Sequence, residues 1–184
     1  MPTAFFLKKK APGKTLKKSA CIPKMLYASP QPFANIQQGE DMASKASAVW
    51  TGSLKEGKGA ISTATGVLKE AKYSFATRFE GDNSSTNPEE LIAAAHAGCY
   101  SMALGAILGG SGLTPEKIET SAAVTLAKVG DGFAITRITL TTVATVPGAT
   151  QEVFEKAAND AKAGCPISKL FAGNTEIVLD AKLV

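Results

Sequence analysis

The amino-acid sequence predicts an α+β protein, and two observations predict this class. Segments in which apolar and polar residues alternate, as they do in half-buried strands, occur in runs along the chain and do not alternate one by one with helices. Helical spacing of apolar residues is confined to two regions, 86–108 and 150–172. The expected order is therefore three strands, a long helix, two strands, two helical segments and a final strand.

Three predicted strands open this order, at residues 45–50, 59–65 and 73–80. The glycines between the first two strands have no helix behind them, so a turn is favoured there over a phosphate-binding loop. In the third segment aromatic residues alternate with polar ones. If the aromatic face is buried, Arg78 lies on the opposite face, which meets either solvent or another subunit.

A long helix is predicted over residues 86–108 because several start and stop signals agree. Thr86 and Glu89 have the spacing of a capping box, and Asn87 can equally cap a helix whose first residue is a proline. Glycines from Gly109 onward end it. Alanine and glycine dominate the helix and make it thin, so we expect it to be central and packed closely against a second helix or a partner subunit.

The same helix is long and apolar enough to raise the question of whether it spans a membrane. Residues 91–108 contain no Asp, Glu, Lys or Arg, and a stretch of this length meets the simplest criterion for a membrane span. Its alanines and glycines, together with His96, Cys99 and Tyr100, give it a poor energy of transfer into lipid. A buried helix of a soluble domain is therefore favoured.

The second half of the chain is predicted to form a hairpin, two helical segments and a strand. A Gly-Asp-Gly sequence at 130–132 separates the two hairpin strands. Gly164 ends the first helical segment, and Pro166 opens the second. The segments cover 119–129 and 133–146 for the hairpin, 150–163 and 165–172 for the helices, and 174–184 for the last strand.

Charge divides the chain into two parts. Seven lysines against two acidic residues give residues 1–41 a charge of +5, which leaves −1 for 42–184 out of the total of +4. We expect 1–41 to be a basic, disordered leader. An upstream start site or a cloning remnant is favoured as its explanation over a basic interaction arm or an organelle transit peptide. An organelle transit peptide is disfavoured because the leader has no Arg and few Ser. The near-neutral domain 42–184 gives no electrostatic reason to expect nucleic acid or membrane as a partner.

Three cysteines, Cys21, Cys99 and Cys165, are too few for a secreted disulfide framework. Cys99 lies inside the long helix, three residues after His96, a spacing that permits a Cys/His dyad and, more weakly, a metal site. Cys99 is equally compatible with a small buried packing residue. Cys165 precedes a predicted helix, whose dipole would favour a thiolate there. If the fold joins Cys99 to Cys165, they form a redox pair.

Cys99 would need a cation from outside its helix to become reactive, and the only arginines are Arg78 and Arg137. Glu89 precedes Cys99 by ten helical positions, which corresponds to about 15 Å of rise on the other side of the helix. Glu89 therefore acts on the Cys99 of a second chain, or it has a structural role at the helix start.

Three motifs resemble the OsmC (osmotically inducible protein C) and organic hydroperoxide resistance family. They are TRFEG at 77–81, TNPEELIAAAHAGCYSMAL at 86–104 and AGCP at 163–166, and the resemblance covers essentially 43–184. It implies an OsmC-like α+β fold, with antiparallel sheets wrapped around a central helix pair in an intertwined homodimer. It also implies active sites at the subunit interface, no cofactor and no metal, and a cytoplasmic location.

The resemblance further implies a thiol peroxidase that reduces organic hydroperoxides, and hydrogen peroxide more weakly, in defence against oxidative and osmotic stress. Cys99 would attack the peroxide, Cys165 would resolve the product, and Arg78 and Glu89 would complete the site. A dithiol, in this family a lipoyl group, would restore both thiols. This assignment conflicts with the helix-dipole argument, which makes Cys165 the first attacker. Two alternatives stay open: a Cys99/His96 thiol hydrolase, and a non-enzymatic dimeric binding protein.

Overall fold

The computed structural model describes residues 43–184, so the predicted leader 1–41 and Cys21 lie outside the described residues. Within the described range the chain forms two three-stranded sheets and four helices. In chain order the elements are β1 (Ala46–Thr51), β2 (Lys58–Thr63), β3 (Ala71–Ser74), α1 (Phe75–Phe79), α2 (Pro88–Gly110), β4 (Lys117–Val129), β5 (Gly132–Thr145), α3 (Gln151–Gly164), α4 (Pro166–Phe171) and β6 (Glu176–Leu183).

The first sheet is an antiparallel meander in the order β1-β2-β3. Gly59 pairs with Trp50 on one side and with Tyr73 on the other, and a side chain at this position would collide with the Tyr73 ring. The Trp50 and Tyr73 rings therefore approach each other across the glycine, with centroids 5.4 Å apart. Every residue of β1 is exposed, so the other described residues leave one flank of this sheet uncovered.

The segment predicted as a strand over 73–80 is a strand only as far as Ser74, and the prediction is wrong beyond it. Ser74 caps α1 through a capping box: its hydroxyl accepts from the Thr77 amide, and the Thr77 hydroxyl accepts from the Ser74 amide. Phe75 and Phe79 fit alternation as well as the i, i+4 spacing of a helix, and their rings lie 4.9 Å apart. The Ser74–Thr77 capping box therefore selects the helical spacing over the alternation of a strand.

Helix α2 begins where the sequence indicates. Asn87 is its N-cap and accepts from the Glu90 amide at 2.8 Å, with Pro88 in the first helical position. The alternative capping box does not form, because the Thr86 hydroxyl donates to the Glu90 carboxylate. The helix ends at Gly110, two residues later than predicted.

The second sheet has the order β4-β5-β6. A two-residue turn joins β4 to β5, and Gly130 adopts there the positive φ of +59° that such hairpin turns require at this position. Strand β6 pairs with β5 in parallel, because α3 and α4 carry the chain back to the edge where β5 began. The α+β class is confirmed, and this parallel pair departs from the expectation of purely antiparallel sheets.

The core lies where α2, α3 and α4 pack against one another and against the second sheet. Its fully buried large side chains include Tyr100, Leu104, Leu108, Ile138, Leu140 and Phe154. Each such side chain contributes about 1.5–3 kcal/mol through burial.

No part of residues 43–184 covers the opposite face of α2. Ala94 and Gly98 are exposed along it, and Met102 is 76% exposed. Over residues 43–184, α2 is the one helix long and apolar enough to cross a membrane by length and composition. Its packing on the second sheet and on α3 is that of a core helix in an α+β domain.

Candidate active site

The structure brings Cys99 and Cys165 together. Cys99 lies on α2, Cys165 lies between α3 and α4, and the Cys165 thiol donates to the Cys99 sulfur at 2.9 Å. Within residues 43–184 these are the cysteines, and both are free thiols. Cys165 is fully buried, whereas Cys99 is partly accessible. A disulfide between them, with sulfurs about 2.05 Å apart, would require a movement of only about 1 Å.

The joint between α3 and α4 holds Cys165 in this position. Cys165 ends α3 by donating its amide to the Ala161 carbonyl at 2.9 Å, and it precedes Pro166, the first residue of α4. Its carbonyl accepts from the Lys169 amide at 3.0 Å. Its side chain makes no capping bond in the part of the chain that the structure describes. The backbone is therefore fixed by two helices while the thiol faces α2.

Several groups act on the pKa of Cys99. Burial raises the pKa of this thiol most, and the neighbouring Cys165 raises it further, whereas the Ile167 backbone amide donates to the Cys99 sulfur and lowers it. The net effect is a raised pKa. The sequence predicts that the N-terminus of α4 acts on the Cys165 thiol. In the structure, one free amide of this N-terminus reaches the Cys99 sulfur across the contact between α4 and α2.

Tyr100 forms part of the wall beside the two sulfurs. It is fully buried, and its hydroxyl donates to the Ala158 carbonyl at 3.4 Å. Burial raises the pKa of Tyr100 strongly, and the neighbouring Cys165 adds to the shift. Tyr100 is therefore a neutral hydrogen-bond donor at physiological pH and supplies no charge to the site.

Arg78 and Glu89 form a second pair at the start of α2. Arg78 donates through Nη2 to Glu89 Oε1 at 2.8 Å and through Nε to both carboxylate oxygens at 3.1 and 3.2 Å. The guanidinium also lies over the Phe79 ring, 5.2 Å from its centroid. The Arg78 side chain is 37% exposed and that of Glu89 is 11% exposed. Helix α1, which lies in a segment predicted to be a strand, places Arg78 in this orientation.

The four predicted site residues thus form two pairs that are separated in one chain. Glu89 and Cys99 are about 15 Å apart along the axis of α2. Arg78 and Glu89 line a groove of about 570 Å³ whose other wall is 122–126 of β4. Among the described residues that line this groove there is no cysteine.

Arg137, the other arginine of the chain, takes no part in either pair. It donates to Glu176 on the neighbouring strand at 3.0 Å, and both side chains are more than half exposed. An exposed pair of this kind contributes about 0–1 kcal/mol. No three His, Cys, Asp or Glu side chains in 43–184 cluster as metal ligands would.

His96 does not form the Cys/His dyad that its spacing permits. Its Nε2 lies 2.8 Å from the Ser168 hydroxyl, and its ring lies along Phe171 with centroids 6.3 Å apart. No hydrogen bond joins His96 to Cys99 within the described range, so the hydrolase alternative lacks its base. Burial lowers the pKa of His96. Sequence reasoning missed Ser168, although it follows Cys165 by three residues just as His96 precedes Cys99 by three.

Solved structures with the same fold are named for resistance to organic hydroperoxides. The organic hydroperoxide resistance protein OsmC of Legionella pneumophila aligns with a TM-score of 0.61 at 23% identity, over 78% of this chain and 99% of that one. The organic hydroperoxide resistance protein OhrB of Bacillus subtilis aligns with a TM-score of 0.58 at 27% identity, over 74% and 97%. The fold and the thiol pair together define an OsmC/Ohr-type α+β protein.

Sequence comparison narrows this class to one family. Residues 81–180 match the family model described as OsmC-like protein. A relative named Peroxiredoxin OsmC from Escherichia coli (strain K12) is 51% identical over 139 residues, which are 76% of this chain and 95% of that protein. The chain belongs to the OsmC-like family.

Proposed function

We propose that this protein is a thiol peroxidase that reduces organic hydroperoxides, and hydrogen peroxide more weakly, as part of the defence against oxidative stress. The observation that carries the proposal is the contact of 2.9 Å between the Cys99 and Cys165 sulfurs. Relatives named peroxiredoxin and organic hydroperoxide resistance protein support it. We place the reaction in the cytoplasm, whose thiol systems keep such cysteines reduced between turnovers.

The reaction runs in three steps. The Cys99 thiolate attacks one peroxide oxygen, the O–O bond breaks, and the alkoxide leaves and takes up a proton to become the alcohol. Cys99 is then a sulfenic acid. The Cys165 sulfur attacks it, and water leaves as the disulfide forms. An external dithiol, which we take to be a lipoyl group, reduces the disulfide by two electrons and two protons.

The cation for the first step comes from a second copy of the chain. Burial and Cys165 raise the pKa of Cys99 within one chain, which disfavours the attacking thiolate. The Arg78–Glu89 pair faces a groove whose lining, among residues 43–184, contains no sulfur atom. The guanidinium of this pair can stabilise both the thiolate and the departing oxygen. The uncovered, thin face of α2, with Ala94 and Gly98, allows a second α2 to approach closely. We therefore place two shared sites in a homodimer.

The test is titration of the reduced protein with cumene hydroperoxide, followed by thiol counting and mass spectrometry. Wild type should lose two thiols and gain no oxygen, because the disulfide forms. Cys165→Ser should react once and then accumulate sulfinic acid at Cys99, whereas Cys21→Ser should behave as wild type.

Peroxide turnover that persists in Cys99→Ser would refute the proposal. Thiols that are inert to peroxide at neutral pH would favour a non-enzymatic binding protein. Deletion of 1–41 serves as a further control, and it should leave peroxide reduction unchanged because all four site residues lie beyond it.

A further inference from the structure

A buried hydrogen bond lies next to the two sulfurs and has no part in the chemistry described above. It joins His96 on α2 to Ser168 on α4, with Nε2 and Oγ 2.8 Å apart. His96 is 0% exposed and Ser168 is 4% exposed. The other ring nitrogen, Nδ1, is buried and has no hydrogen-bond partner among the described residues. Such an unsatisfied group in a core requires an explanation.

The position of this bond relative to the sulfurs is the first part of that explanation. His96 lies three residues before Cys99, and Ser168 lies three residues after Cys165. Each spacing is close to one helical turn, so both pairs belong to the same helix contact. The His96 ring also lies along Phe171, one further turn of α4 away. Helix α4 therefore meets α2 at the sulfurs and again one turn beyond them.

The second part is that the bond does little for stability by itself. With a proton on Nε2, His96 donates to Ser168 and leaves a bare lone pair at Nδ1; the other tautomer leaves a buried N–H without an acceptor, which is rarer in proteins. The unsatisfied nitrogen offsets much of what the hydrogen bond contributes. The main effect of the hydrogen bond is therefore geometric. It fixes the distance and angle between His96 and Ser168, whereas apolar packing alone would allow small displacements of α4.

We propose that the His96–Ser168 hydrogen bond is a positioning device that fixes α4 on α2 and thereby holds the Cys165 sulfur against Cys99. His96 and Ser168 are positioning residues, and neither touches the peroxide. The step they assist is the attack of the Cys165 thiol on the Cys99 sulfenic acid, in which the S–S bond forms and water leaves. The faster attack of Cys165 on the sulfenic acid rests on the proposed peroxidase function. The positioning of the two thiols does not rest on it.

The deciding experiment therefore uses no peroxide. Reduced full-length protein is equilibrated with mixtures of glutathione and glutathione disulfide, so that two protein thiols pass two electrons and two protons to one glutathione disulfide. After acid quenching and alkylation, peptide mass mapping counts the Cys99–Cys165 disulfide separately from Cys21. The equilibrium constant for forming the Cys99–Cys165 disulfide measures how closely the fold holds the two sulfurs in bonding geometry.

In Ser168→Ala the equilibrium constant for disulfide formation should fall at least tenfold, which is a shift of about 30 mV towards a less negative potential. Because this variant leaves His96 with two unsatisfied nitrogens, the double variant His96→Leu/Ser168→Ala provides a second test without buried orphans. It should unfold at a temperature near that of wild type and still show the tenfold loss. His96→Gln, which retains a donor for Ser168, should stay close to wild type.

Thr142→Val is the matched control. Thr142 is 1% exposed and donates to the Glu119 carbonyl at 3.1 Å, away from α4. Its loss should lower the melting temperature without changing the disulfide equilibrium. A wild-type equilibrium constant in the double variant would overturn the positioning role, whatever the single variant shows, and so would an equal loss in Thr142→Val.

A peroxide arm separates this inference from the proposed function. In Ser168→Ala a larger fraction of the Cys99 sulfenic acid than in wild type should proceed to sulfinic acid, because resolution by Cys165 is slower. If wild type does not react with cumene hydroperoxide, the peroxidase proposal fails. The glutathione equilibrium still decides whether His96 and Ser168 position the thiols.

Discussion

At the scale of single residues, Cys99 is subject to opposing effects. Burial and the Cys165 thiol raise its pKa, and the Ile167 amide lowers it. The amide is a fixed partial charge, so it cannot fully replace the water that burial removes. A full positive charge can compensate for the lost water. Arg78 carries such a charge, is held in orientation by Glu89 and is partly exposed. The proposed reactivity of Cys99 therefore depends on a guanidinium that its own chain holds elsewhere.

The prediction at this scale concerns Arg78. In Arg78→Gln the thiolate loses its cation while the cost of burial stays, so the pKa of Cys99 should rise and the pH profile of peroxide reduction should move to higher pH. The rate at pH 7 should fall by about 10²–10³, as it does when an electrostatic donor is removed from an active site. Stopped-flow rates with cumene hydroperoxide between pH 6 and pH 10 measure both effects.

Arg137→Gln is the control for this prediction, because it removes the other arginine from an exposed pair with Glu176. It should leave the pH profile in place. A profile that is the same in Arg78→Gln as in wild type would mean that another group ionises Cys99.

At the scale of elements, two short helices hold residues of the proposed site. Helix α1 has five residues and holds Arg78, and α4 has six and follows Cys165. Helices of this length are not stable alone in water, so their positions are set by capping and by packing against their neighbours. Helix α2, by contrast, is long enough to serve as the fixed element. The site can thus be altered through the contacts of α1 and α4 while α2 stays in place.

The prediction at this scale concerns the uncovered face of α2. A Cβ atom at Gly98 would meet no described atom within 4 Å beyond its chain neighbours and the nearby helix backbone, so Gly98→Leu should preserve the fold and slightly favour the helix. It should nevertheless prevent a second α2 from packing closely, which would yield monomers and abolish peroxide reduction. Analytical ultracentrifugation and circular dichroism measure the two effects.

Gly109→Leu is the matched control for Gly98→Leu, because it also points into open space on α2 but lies at its C-terminal end. It should remain dimeric and active. If Gly98→Leu stayed a fully active dimer, this face of α2 would not be the interface.

At the scale of the whole molecule, one chain contains every proposed chemical group but does not assemble them. The thiols lie together, the Arg78–Glu89 pair lies about 15 Å away along α2, and β1 together with one face of α2 is uncovered. The proposed symmetric dimer would solve both problems, because each copy would cover the other's exposed surface and supply the missing cation. Symmetry then yields two equivalent sites.

The prediction at this scale is complementation between two inactive variants. Arg78→Ala retains its thiols and Cys99→Ser retains its guanidinium, so a mixed dimer contains one complete site if each site is shared. Refolding an equal mixture should restore about one quarter of wild-type peroxide activity, because half of the dimers are mixed and one of their two sites is complete. Each variant refolded alone should be inactive.

Failure of the mixture to recover activity, with mixed dimers demonstrated by mass spectrometry, would place Arg78 in the same site as the Cys99 of its own chain. That result would require a movement of α1 that this structure does not contain.

Elements with local signals could be predicted from the order of residues alone. The cap at Asn87, the glycines of the β4–β5 turn and the proline after Cys165 each act within a few residues, so the strands, helices and their order could be predicted. The motif around Cys99 also pointed to the family that the comparisons identify. Local reasoning failed at 73–80, where aromatic residues fit two periods and a capping box decided for the helix.

Contacts between positions far apart in the chain depend on how the elements pack. The sulfurs of Cys99 and Cys165 are separated by 66 positions, and His96 and Ser168 by 72. Whether such groups meet depends on how α4 packs on α2 and on the return of the chain that makes β6 parallel to β5. These outcomes result from the summed burial of many apolar side chains, to which no single local pattern corresponds. For the same reason, sequence reasoning assigned the amides at the start of α4 to Cys165, whereas packing brings one of them to Cys99.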